Sequence, residues 1–409
     1  QVDAGASYSR SKRSGAIGDQ VVPDPDGGRD FYTLGFDATW ELDLAGRVRR
    51  AVESADASIQ ATIEARRDVL VTLLSEVARN YAELRGYQLR LALAQRNRDL
   101  QADTVGLTRS RFEGGLSSEL DLAQARAQLA LTESAIPLLV EGERAAMYRL
   151  GVLLGTNPEA LVRELQPAAP IPVGPPAVDP GRPADLLVRR PDLRAAEREA
   201  AAASAQIGVA EADLYPRVFL LGSIGWSAED ASNLFSSNAW EWGIGPSVVW
   251  RVFDGGRIRS NIEVQDARFE QVLLDYRRRV LHAFEEVERA LLRHHTAVER
   301  VHALEQSIEA NRRALTLSRD RYERGIGDFL SVLTAERNLL LVEDDLAQTQ
   351  QEITTALIAV YKALGGGGEV PATGEPGDPA QPTMSGEDGS STAAAAGPAE
   401  APHGAENPA

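Results

Sequence analysis

The chain has 409 residues, with 43 Lys and Arg against 60 Asp and Glu, a formal net charge of −17 and 6% aromatic residues. That acidic balance argues against a phosphate-reading basic face, so no nucleic-acid partner is expected; the lack of cysteine excludes disulfides, thiolate metal sites and a cysteine nucleophile within the chain. Abundant Ala, Leu and Arg favour long helices over a thick globular core, and no apolar run reaches the roughly 18 residues a membrane-crossing helix needs.

Residues 1–45 read as a β-hairpin. In Tyr32 to Asp43 the even positions carry Tyr32, Leu34, Phe36, Ala38, Trp40 and Leu42 while the odd ones carry Thr33, Gly35, Asp37, Thr39, Glu41 and Asp43. A two-residue period gives a strand with one apolar and one polar face. Val2 to Ser9 is its partner.

Residues 46–165 read as a long helical hairpin. Ile59, Ile63, Leu70, Leu74, Val77, Tyr81 and Leu84 fall at three-, four- and seven-residue steps, the spacing of an amphipathic helix. About 65 residues at 1.5 Å each extend about 100 Å. Gly114 and Gly115 end this helix and let a second fold back. Pro137, inside the returning helix, removes an amide donor, so that helix should kink or break.

A Pro-rich connection over residues 166–183 lacks periodicity and reads as a collar. A helical stretch from about Ala184 to Leu214, within residues 184–217, leads into a second β-hairpin, 218–253, and a second helical hairpin, 254–365. There Trp240, Trp242, Ile244, Pro246, Val248 and Trp250 alternate with Glu241, Gly243, Gly245, Ser247 and Arg251. From Glu369 the tail contains seven acids, no Lys or Arg and almost no large apolar residue, so residues 366–409 should be disordered.

The second half repeats the first at a constant offset of 210. Trp40, Gly46, Arg47, Arg67, Glu76, Arg111, Glu113, Gly115, Leu120, Ala125 and Gly155 find identical residues at Trp250, Gly256, Arg257, Arg277, Glu286, Arg321, Glu323, Gly325, Leu330, Ala335 and Gly365. Chance matching of Ala- and Leu-rich helices would drift in register and spare the glycines and Trp, so the chain is an internal duplication.

All five Trp residues, Trp40, Trp226, Trp240, Trp242 and Trp250, gather in the four alternating segments. A transmembrane barrel turns its apolar face to lipid, its polar face to a wet lumen, and marks both interfaces with aromatic belts. Four strands cannot close alone, and open edges are not tolerated in lipid. Two copies would give a side-chain-filled barrel of eight strands; three give twelve, enough for a passage. The alternative is a soluble elongated coiled-coil scaffold with a small β-domain.

Enzyme signals are absent. His294 and His295 are adjacent and diverge on a helix, and with His302 they read as solvated rather than metal-binding. Gly365 to Gly368 lacks the following Lys and the preceding strand of a phosphate loop and reads as a helix stop. No catalytic, cofactor or metal site is expected.

Trp40-Glu-Leu-Asp-Leu-Ala-Gly-Arg, Arg189-Arg-Pro-Asp-Leu-Arg-Ala-Ala-Glu, Tyr215-Pro-Arg, Phe253-Asp-Gly-Gly-Arg and Tyr322-Glu-Arg-Gly-Ile-Gly-Asp-Phe-Leu resemble the TolC-like outer-membrane efflux proteins, in the multidrug-efflux branch. The resemblance runs in order through nearly all of residues 1–365. It implies a homotrimer in the outer membrane of a Gram-negative bacterium, with a twelve-stranded β-barrel in lipid continued by a periplasmic α-helical barrel. It also implies a periplasmic adaptor and an inner-membrane transporter as partners. The counterpart of the 184–214 helix, with any signal peptide and lipid-anchor cysteine, would precede Gln1, so the chain reads as N-terminally truncated.

The resemblance also points to a periplasmic gate. Asp121 and Tyr322 match the acidic and tyrosine partners of a tip contact; Ser331 and Thr334 stand at the positions of acidic rings, Gly327 where some members carry arginine, and Asp328 is the nearest acid. An adaptor would grip the tips by helix contacts at Arg111, Phe112, Gly115, Leu116, Arg321, Gly325 and Ile326.

Overall fold

The computed structural model describes residues 1–11, 29–174 and 183–366; the tail assigned to 366–409 lies outside them from residue 367, as do residues 12–28 and 175–182. Strands β1 (Val2–Ser11) and β2 (Arg29–Leu42) precede helices α1 (Arg47–Glu113), α2 (Glu119–Leu153) and α3 (Val162–Leu165). Helices α4 (Pro183–Arg189) and α5 (Pro191–Ala212), strands β3 (Arg217–Ala228) and β4 (Trp240–Val249), and helices α6 (Arg257–Glu323) and α7 (Phe329–Ala363) complete the order.

The four strands form one antiparallel sheet in the order β1-β2-β3-β4. Its register places Ala4 opposite Phe36, Phe36 opposite Ile224, and Ile224 opposite Trp242, so one face is apolar from edge to edge. The other face carries Asp3 against Asp37, Asp37 against Ser223, and Ser223 against Gly243. Among the described residues no helix packs broadly on either face. Trp40, Trp242, Ile244 and Val248 are each 63–69% exposed, an arrangement a water-soluble sandwich would bury.

Trp250 is one residue beyond β4, because the β3–β4 ladder ends at the Arg217–Val249 pair; its indole instead donates to the Leu214 carbonyl at 3.1 Å. The expectation that it lies in a strand is corrected accordingly.

Each passage from strand to long helix uses an acid just ahead of the helix. Asp43 accepts from the Val48 and Arg49 amides at 2.9 and 3.0 Å, and Asp254 from Gly256 and Ile258 at 3.0 and 2.6 Å. Gly46 and Gly256 supply φ of 81° and 87° at the two N-caps, which only glycine adopts freely. Glu41 at the end of β2 receives both Arg47 of α1 and Arg217 of β3, at closest distances of 2.6 and 2.9 Å. One carboxylate thereby ties helix, strand and neighbouring strand.

The long helices pack α1 on α2, α6 on α7, and α1 on α7, so the two hairpins lie side by side. α5 sits between α1 and α6. The face of α1 buried near its start is Ser54, Ala57, Ala61 and Glu64, because the Ala-rich α5 approaches closely through Ala195, Ala202, Ala205 and Ala210. Ile59, Ile63 and Leu74 of the apolar stripe are 46–58% exposed in the single chain.

The single helical stretch expected over 184–214 and a break at Pro137 are not found. The stretch from 184 to 214 is two helices, because Pro191 forces Arg190 into an extended conformation (φ −77°, ψ 119°) between α4 and α5. α2 runs unbroken through Pro137. Both Pro137 and Glu133 one turn before it are exposed, so water can satisfy the carbonyl that loses its donor.

Part of the 166–183 connection is strapped across the helices. Arg85 and Gln88 of α1 donate to the Pro167 and Leu165 carbonyls at 2.8 and 2.9 Å, and Thr354 of α7 donates to Pro172 at 2.8 Å.

Candidate functional site

The hairpin tips concentrate the polar chemistry that duplication and folding bring together. Both outgoing helices end alike: Leu116 N–H bonds the Arg111 carbonyl at 2.8 Å and Gly115 N–H bonds Phe112 at 2.9 Å, while Ile326 and Gly325 repeat this on Arg321 and Tyr322, both at 3.0 Å. This is the Schellman pattern, with φ of 72° at Gly115 and 75° at Gly325. It leaves Leu116 and Ile326 at the extremity, 71% and 66% exposed, followed by Leu120 and Leu330 at 65% and 56%.

The returning helices start differently. α2 has a reciprocal capping box in which the Asp121 amide bonds Ser118 Oγ and the Ser118 amide bonds the Asp121 carboxylate, both at 3.2 Å. α7 is preceded by Asp328, whose carboxylate accepts from Ser331. That hydroxyl holds the Asp328 carboxyl below the usual range. Thr334 bonds back to the Leu330 carbonyl at 2.7 Å, so it is occupied within its own helix. A Cβ on Gly327 would come within 3.0 Å of Arg321 Cβ, and its lack of side chain lets the chain turn there.

Tyr322 is the centre of the tip. It is 4% exposed and packs with Phe329, Val332 and Leu333 of its own hairpin against Val105, Leu122 and Ala125 of the other. The Arg111 guanidinium lies 4.7 Å above its ring and donates to the Glu323 carbonyl at 3.1 Å, a cation–π contact combined with a cap on α6. The Tyr322 hydroxyl does not reach Asp121 directly. It lies 3.5 Å from Ser117 Oγ, which donates to Asp121 Oδ2 at 3.0 Å. Ser117 and the Glu323 carbonyl escaped the sequence reading because one is a small turn residue and the other a backbone atom.

One turn deeper lies a carboxylate that periodicity did not mark. Glu336 of α7 is 8% exposed and accepts from Thr104 of α1 at 2.8 Å, and Arg319 of α6 bonds the same hydroxyl at 3.2 Å. Burial raises its pKa, against the opposing Thr104 hydrogen bond and Arg319 charge. A raised acid contributes stability that is complete below its unfolded value and lost as pH rises through its folded one. Glu336→Gln should therefore stabilise the tip at neutral pH and flatten the decline of thermal stability between acid and neutral pH. A melting series from acid to neutral pH checks it; an unchanged slope would remove Glu336 from the account.

The aromatic residues mark the sheet's two ends. Trp226 pairs with Trp240 beside the β3–β4 turn, while Trp40 and Trp250 lie toward the helices. The ten residues of β4, Trp240–Val249, correspond to about 33 Å of strand, or about 25 Å of height at a tilt of about 40°. Among the described residues no group of His, Cys, Asp and Glu could hold a metal ion.

The chain matches the outer membrane efflux protein family model over residues 1–156 and 183–366. It is 32% identical to nodulation protein T of Rhizobium leguminosarum bv. trifolii, with 80% of this chain and 70% of that protein covered. It is 30% identical to the toluene efflux pump outer membrane protein TtgI of Pseudomonas putida, with 90% and 77% covered. The solved outer-membrane channel OprN aligns with a TM-score of 0.84 at 38% identity, over 90% of this chain and 82% of that one. With the lipid-ready sheet, the duplicated hairpins and these likenesses together, the chain belongs to the outer membrane efflux protein family, as an efflux channel protein of the Gram-negative outer membrane.

Proposed function

We propose that three copies of this chain close a passive, non-enzymatic duct, whose twelve-stranded barrel crosses the outer membrane and whose hairpins enclose a continuing passage. The observation that carries the reading is the four-stranded sheet with two open edges and one apolar face, charged among the described residues at the Arg10–Asp30 pair at its end. Such edges must be paired in lipid, and a heterologous contact repeated three times pairs β4 of each copy with β1 of the next. Trp40, Trp226, Trp240, Trp242 and Trp250 are the interfacial anchors of this barrel. The lumen receives Asp3, Asp37 and Glu241 from each copy, a polar acidic wall that selects by size and charge.

Energy then comes from partners. An inner-membrane transporter delivers small molecules through a periplasmic adaptor, which grips the tips around Gly115, Leu116, Gly325 and Ile326. Exposed Leu116, Leu120, Ile326 and Leu330 give that grip its apolar contacts. Tyr322 with Asp121, and Gly327, Asp328, Ser331 and Thr334 behind it, form the entrance. The 166–183 connection serves as the collar.

Neighbouring residues on opposite sheet faces test the barrel. Ile224→Arg puts a charge into lipid on the apolar face, at a cost that rises to about 2–4 kcal/mol per copy toward the bilayer midplane, and should abolish heat-resistant assembly in outer-membrane fractions. Ser223→Arg, on the polar face, should assemble normally and reduce cation preference in reversal-potential recordings. Equal behaviour of the two variants would contradict a lipid-facing sheet.

A further inference from the structure

The duplication says what covers the open side of the first tip. Within one chain, the second hairpin buries Tyr322, Phe329, Val332 and Leu333 against the first, and Arg111 of the first clamps Tyr322 and Glu323 of the second. Subtracting 210 from the clamped pair gives Phe112 and Glu113, and adding 210 to the clamp gives Arg321. Phe112 is 39% exposed beside a cavity of about 250 Å³ lined by Arg109, Glu119, Leu122 and Arg126. The Arg321 side chain is exposed and, among the described residues, makes no hydrogen bond or ion pair, though its charge helps hold the Asp328 carboxyl low. Groove and clamp are both present in every chain, and neither is used within it.

We propose that the tips of neighbouring copies interlock at this groove, the Arg321 guanidinium of one copy lying over the Phe112 ring of the next and donating to its Glu113 carbonyl. The occupant is a second copy of this chain, because it carries the one arginine that occupies the equivalent place relative to an equivalent groove. The inference rests on the assembly proposed above and adds the residues that join its tips.

The two kinds of seam are unequal. Inside the chain the polar relay is Tyr322, Ser117 and Asp121; between copies the same three places hold Phe112, Gly327 and Ser331. Phe112 has no hydroxyl and Gly327 no side chain, so the relay is missing and Arg321 is the polar tie. The seams between copies are the ones that part first when the entrance opens.

Residues 1–409 contain no cysteine, so engineered pairs within them are read against the unaltered chain treated in the same way. In outer-membrane preparations of the full chain treated with a short bis-maleimide, Glu113→Cys with Arg321→Cys should yield covalent dimers and trimers. The intrachain equivalent, Arg111→Cys with Glu323→Cys, should stay at monomer mass, and each single variant should give no interchain product. Arg321→Ala should also raise single-channel conductance severalfold. The mass of the detergent-purified unaltered chain, measured by light scattering, reads assembly separately. A trimer mass but no interchain product from Glu113→Cys with Arg321→Cys would overturn the interlock and leave the duct standing. Interchain product from Glu113→Cys alone would overturn it as well, by placing equivalent tips against one another. A monomer or dimer mass would remove the assembly and the interlock together.

Discussion

Replacing Arg190 with Ala is expected to cost about 2 kcal/mol, between the penalty for an exposed ion pair and that for a buried one, since its acidic partners are partly exposed. Arg190 is 11% exposed and holds the break between α4 and α5 against two other helices. Its guanidinium binds Asp192 through two nitrogens at 3.0 and 2.8 Å, Glu286 of α6 at 2.8 Å and the Ala363 carbonyl of α7 at 2.9 Å. Asp68 of α1 is raised by its own burial and by the Asp192 charge, with Lys362 and Arg190 opposing that rise. Removing the guanidinium strands these acids near one another and frees the Ala363 carbonyl at the end of α7. Arg190→Lys should recover only part of the loss, because a single ammonium cannot reproduce the planar two-nitrogen grip and the two further bonds. Thermal melts of helical circular dichroism on the detergent-purified protein measure both variants. A loss within about 0.5 kcal/mol, the range of an ordinary surface change, would contradict the role assigned to Arg190.

Tyr322→Ala should loosen the entrance. Truncating a buried aromatic costs about 3–5 kcal/mol, and here it also strips the Arg111 guanidinium of the ring beneath it. The damage is local to the two tips, because the Leu84 and Met147 cluster and the Val360 and Ala363 cluster are separate packing units. Single-channel conductance should therefore rise while the melting of the remaining helices changes little. Tyr322→Phe keeps the ring and the cation–π contact and loses only a hydroxyl at 3.5 Å from its partner, at the long limit of a hydrogen bond. Its conductance should stay close to that of the unaltered chain. Equal conductance for Tyr322→Ala and the unaltered chain would deny Tyr322 any part in gating.

Periodicity made the strands and long helices legible, because a sheet with one lipid-ready face and a helix with one packed face write their periods directly into the sequence. The 210 offset did more, by fixing Gly115 against Gly325 and Gly46 against Gly256, each pair with positive φ. Packing partners were less legible. Ile59 and Ile63 satisfy the helical period, yet Ala57 and Ala61 are the buried positions, since an Ala-rich neighbour can come closer than an isoleucine allows. Pro137 and Pro191 carry the same local signal and have opposite outcomes: one sits mid-helix on an exposed face, the other starts a helix. At the tip, Asp121 and Tyr322 could be named from resemblance, but Ser117 between them and Glu336 below them depend on which helices meet. A sequence pattern does not state that.

A sheet of this kind, closed in lipid, should conduct. In planar bilayers the detergent-purified protein should give discrete, uniform steps of ion current with a cation preference set by Asp3, Asp37 and Glu241. A water-soluble monomer or dimer that inserts no steps would contradict it.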